Sequence, residues 1–69
     1  MQNLSASQAF WLGHLYQASE LNLPLAVYAK QQALSLAEFL LWRRRLQAAG
    51  IGIPVIAVSV HSRAFLTHT

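Results

Sequence analysis

The chain has 69 residues, five basic and two acidic, giving a formal charge of +3, and 55% of its residues are apolar. That length holds one small domain with a thin core, so support from a second copy or a partner is expected. The absence of cysteine excludes disulfides and thiolate metal sites, and the longest apolar run, Ile51 to Val60, is far short of the ~20 residues that a membrane helix needs. No basic residue precedes an apolar stretch at the N-terminus, so no secretion signal is read. The expectation is a soluble, cytoplasmic protein with no membrane partner. So apolar a composition in so short a chain also implies exposed apolar surface, which usually marks an interface.

The first predicted element is a helix over 5–21. Ser5 or Ser7 can cap it, and Trp11, His14, Leu15, Ala18 and Leu21 recur at spacings of three and four, which puts them on one face. Asn22 then tolerates the left-handed conformation that ends many helices. Pro24 suits the first turn of a short second helix, 24–32, where a missing N–H is harmless. Ala33 and Leu34 form a tight turn. Ser35 and Glu38 make the S-x-x-E capping box that opens a third helix reaching about Ala48, with arginines in its later turns and Gly50 as its stop. Beyond it, Ile53 to Val60 is mostly β-branched and reads as a strand. A single strand must pair with another chain, pack on the helices or stay partly disordered.

Two stretches echo each other: Asn22-Leu23-Pro24-Leu25-Ala26-Val27-Tyr28 and Ala33-Leu34-Ser35-Leu36-Ala37-Glu38-Phe39. The period is too short for a solenoid repeat. The echo describes one turn device used twice: a left-handed residue, a buried leucine and a helix start. Tyr28, Leu34, Phe39 and Trp42 are placed to point into a three-helix core completed by Trp11 and Leu15, with Ala29 small where the second and third helices cross. The expected fold class is therefore all-α: a three-helix helix-turn-helix bundle over 5–49, with a short strand or extended tail over 50–69.

From Trp11 to Leu46 the chain resembles the small accessory proteins encoded beside the transposase in some bacterial insertion sequences, the TnpA type. Their pattern is an early W-x-x-H helix, then L-S-x-A-A-Y-C/A, then G-L-S, then a helix ending W-R-R-R/K-L. Trp11 and His14 fit the first part; Leu23, Ala26, Tyr28 and Ala29 the second; Leu34, Ser35 and Trp42-Arg43-Arg44-Arg45-Leu46 the rest. About half of the chain is covered. Ala33 stands where the family usually has glycine, and Pro24 where it has a capping serine. Residues 51–69 agree only in being strand-like, so a truncated or decayed copy is one alternative. The resemblance implies a DNA-binding accessory role in transposition, with double-stranded DNA and a separate transposase as partners.

The residues suggest how that role would work. A third helix in the major groove would present Ser35, Leu36, Ala37, Leu40, Leu41 and Arg44. Only Ser35 and Arg44 of these can hydrogen-bond to DNA, and the leucines can only touch thymine methyls, so sequence reading is expected to be weak. Lys30, Arg43 and Arg45 would hold phosphates, which position a protein without reading sequence. The arginine run also suits a solvated helix end. The leucines suit, equally well, a homodimer or a protein partner, which gives a second reading as a protein-interaction module. Trp11 and Trp42 read as core residues. His14, His61 and His68 lack metal-ligand spacing, so His14 reads as structural and no metal or cofactor is expected.

Catalysis has little support. Glu20 and Glu38 are the two carboxylates in the chain, and metal-assisted strand transfer needs several converging acidic ligands. There is no aspartate to orient a triad histidine and no glycine-rich phosphate loop. The chain is expected not to be an enzyme.

Overall fold

A computed structural model describes residues 3–59 as three helices and an irregular segment. The helices are α1, Ala6–Glu20, α2, Leu25–Gln31, and α3, Leu36–Ala48. The all-α expectation holds, and each helix lies within two residues of its predicted bounds. Ser5 caps α1 through a full capping box: its hydroxyl accepts from the Gln8 N–H, and the Gln8 side chain accepts from the Ser5 N–H. The box expected at Ser35 is half-formed. Its hydroxyl accepts from the Glu38 N–H at 3.3 Å, but no return bond from the Glu38 side chain closes it.

Each helix ends in the same way. Asn22 and Ala33 adopt φ 57°, and Gly50 adopts φ 79°. After each, an apolar residue donates its N–H to a carbonyl five residues back: Leu23 to Ala18 at 3.1 Å, Leu34 to Ala29 at 2.8 Å and Ile51 to Leu46 at 3.0 Å. The left-handed residue donates to the carbonyl three back, at Ser19, Lys30 and Gln47. These are Schellman closures. In all three, the accepting residue is in the core and the donating side chain packs against it. The echo in the sequence thus marks two of three equivalent corners.

The core comprises Leu15 and Ala18 from α1, Leu25, Tyr28 and Ala29 from α2, and Phe39 and Leu46 from α3. Trp11 of α1 reaches Phe39 of α3 with ring centroids 5.5 Å apart, and Tyr28 of α2 reaches the same ring at 5.9 Å. Three placements differ from expectation. Leu21 is 51% exposed, because Asn22 turns the chain and Leu23 covers the helix end instead. Trp42 is half-buried and is not among the side chains that pack on the core. Pro24 is the N-cap of α2, one position before the helix, and gives it no side-chain cap.

No strand forms among the described residues. Of the predicted run from Ile53 to Val60, residues 53–59 are described; they have no second strand to pair with and lie against the helices as an extended segment, one of the expected alternatives. The Leu25 and Ala26 N–H groups donate to the Ala57 and Val58 carbonyls, at 2.9 and 2.8 Å. Val60, His61 and His68 of the sequence reading lie outside the described residues.

Candidate nucleic-acid interface

Helix α3 divides its side chains by face. Phe39 and Leu46 are buried, and Leu36 and Leu40 are half-buried against the core. Ala37, Glu38, Leu41, Arg44 and Arg45 are exposed on the other side. The spacing explains the division, since residues three or four apart share a face. Leu36 and Leu40, both expected at the outer surface, are thus drawn inward by the 3.6-residue period that buries Phe39 and Leu46. The leucine contribution to the outer face shrinks to Leu41, which is 37% exposed.

The four cations of the expected site differ in exposure. Lys30 on α2 is exposed, as are Arg44 and Arg45, while Arg43 is half-buried. None of the four forms an ion pair among the described residues. Arg45 lies over the Trp42 ring, its guanidinium carbon 5.1 Å from the centroid. That contact fixes the direction of one guanidinium and leaves its N–H donors available. The pairing follows from the i, i+3 spacing of Trp42 and Arg45, a signal present in the sequence but masked by the reading of Trp42 as core. Ser35 is exposed at the N-cap, its oxygen engaged by the Glu38 N–H.

Behind this surface, His14 Nδ1 and the Tyr28 hydroxyl share a 2.7 Å hydrogen bond that ties α1 to α2. His14 is therefore part of the scaffold. No side chain among the described residues leaves a buried nitrogen or oxygen without a partner. No cluster of three or more histidine, aspartate or glutamate residues that could hold a metal occurs there. No described helix is long and apolar enough to cross a membrane.

No family model matches the chain, and neither does any curated protein or solved structure.

The arrangement offers a corner, α2–Ala33–α3, with exposed cations on both helices, Lys30 on α2 and Arg44 and Arg45 on α3. Its exposed hydrogen-bonding groups are the guanidinium and ammonium groups, the amides of Gln31, Gln32 and Gln47, Glu38 and the engaged Ser35. Such a surface suits a polyanion read by charge and shape more than by base edges.

Proposed function

We propose that the chain is a helix-turn-helix DNA-binding protein, an accessory factor of a bacterial insertion sequence that works beside a separate transposase and has no catalytic activity of its own. The carrying observation is the corner at Ala33. Two short helices meet through a left-handed turn, φ 57°; Lys30 near the end of α2 and Arg44 and Arg45 in the later turns of α3 stand exposed, without ion-pair partners among the described residues. The motif resemblance from Trp11 to Leu46 supports the transposition setting. In this reading α3 lies in the major groove with Ala37, Leu41 and Arg44 toward the bases, and Lys30, Arg43 and Arg45 hold phosphates. Affinity comes mainly from the backbone contacts, and sequence preference is weak.

The rival reading, a module that binds protein through a leucine-rich third helix, draws less support. Two of its three leucines, Leu36 and Leu40, pack on the chain's own core.

The test is a fluorescence-anisotropy titration of a labelled mixed-sequence duplex at low salt. The wild-type chain should bind, and Arg43→Ala/Arg44→Ala/Arg45→Ala should lose most of the affinity while keeping its helical circular dichroism. No binding by the wild type removes the proposal. A duplex carrying the terminal sequences of an insertion element, offered with and without its transposase, then tests the accessory role.

A further inference from the structure

Helix α2 has only 7 residues and lacks a side-chain cap, because Pro24 occupies the N-cap. An isolated helix of that length is marginal in water. Its first two N–H groups, at Leu25 and Ala26, are instead met by the carbonyls of Ala57 and Val58. The segment that supplies them is fastened at several points: Ile51, Ile53 and Ile56 pack on the core, and the Tyr16 hydroxyl donates to the Gly52 carbonyl at 3.1 Å. The fit is not flush. A cleft of about 290 Å³ separates Val55, Ile56 and Ala57 from the corner at Ala18, Asn22 and Leu23, and Val55 is fully exposed.

We infer that the segment from Ile51 to Val58 is a detachable strap, and that seating it holds α2 in the conformation that binds DNA. With the strap seated, the first turn of α2 is satisfied and Lys30 is fixed relative to the arginines of α3. With the strap released, two backbone donors lose their acceptors and a short helix loses its cap. The strap opens below the free energy of global unfolding, because it is joined to the body by half-buried side chains and a few hydrogen bonds. Whatever captures it disables duplex binding without touching the cationic face. The consequence for DNA rests on the duplex-binding reading; the clamping of α2 does not.

Amide hydrogen exchange on the full chain, read beside duplex titration, tests both halves. In the wild type, the Leu25 and Ala26 amides are protected by more than about tenfold over unstructured rates. Ile56→Asn, an uncharged change at the strap, abolishes most of that protection while the amides of α3 keep theirs, and duplex affinity falls in proportion to the fraction of chains whose strap stays seated. Adding Pro24→Ser, which gives α2 a side-chain cap, restores both in part. Unprotected Leu25 and Ala26 amides in the wild type overturn the strap, and this result does not depend on any variant folding. Duplex affinity unchanged by Ile56→Asn, with those amides exposed, overturns the coupling. Protected amides in a chain that binds no duplex leave the strap standing and remove the DNA reading alone.

Discussion

Ala33 holds the same left-handed backbone as Asn22, φ 57°, at the end of a different helix. Asparagine tolerates that conformation, whereas for alanine it costs roughly 1–2 kcal/mol from the clash of Cβ with the backbone. Glycine removes the clash and returns ~0.5–1 kcal/mol of it as unfolded-state entropy. Ala33→Gly is therefore expected to stabilise the chain by about 0.5–1 kcal/mol, seen as a higher urea midpoint at unchanged slope. Asn22→Gly should gain less. A lower midpoint for Ala33→Gly would mean that the turn is not left-handed in solution.

Glycine has opposite value at two other positions. Gly13 lies exposed within α1, and a Cβ there meets nothing within 4 Å. Gly13→Ala should raise stability by about 0.5–1 kcal/mol through helix propensity. Gly50 also has open space, but its φ of 79° strains any side chain. By the same balance as at Ala33, Gly50→Ala should cost about 0.5–1 kcal/mol. Thermal melts of the two variants moving in opposite directions check both.

Alkaline pH tests the joint between α1 and α2. Burial pushes the Tyr28 phenol above its ordinary pKa, so the folded chain holds that proton more tightly than the unfolded chain. The associated stability is complete below about pH 10 and is lost as pH rises through the folded value. Tyr28→Phe should flatten that alkaline limb in a urea-midpoint series. At neutral pH it should cost about 1 kcal/mol for the lost bond to His14.

The helices were legible because their punctuation is local. Ser5, Asn22, Ser35 and Gly50 act within a few residues of themselves, and the fold places a cap or a left-handed turn at each. The buried face of α1 followed from periodicity as far as Ala18, but Leu21 did not, since Asn22 breaks the period there. Of the candidate site, Lys30, Ala37, Arg44 and Arg45 emerge at the surface, while Leu36 and Leu40 turn inward. Their fate depends on which way α3 rolls against α1, a tertiary choice that alternating leucines leave open. The bonds from Ala57 and Val58 to α2 span about half the chain and carry no side-chain signature, so sequence alone left a strand and an extended tail packed on the helices as open alternatives.

Glu38 stands exposed on the same side of α3 as Arg44 and Arg45. Its carboxylate favours the helix N-terminus but repels a phosphate backbone. Glu38→Gln should cost a few tenths of a kcal/mol in stability and raise duplex affinity by about twofold or more at low salt. Weaker binding by this variant would place the DNA away from the outer face of α3.

The dependence of duplex affinity on salt tests the phosphate-holding cations most directly. Each phosphate neutralised contributes about −0.9 to the slope of log affinity against log salt, so three contacts give about −3. Lys30→Ala/Arg45→Ala should bring the slope to about −1. Absence of binding even at the lowest salt, or a slope that the double variant leaves unchanged, would contradict the account.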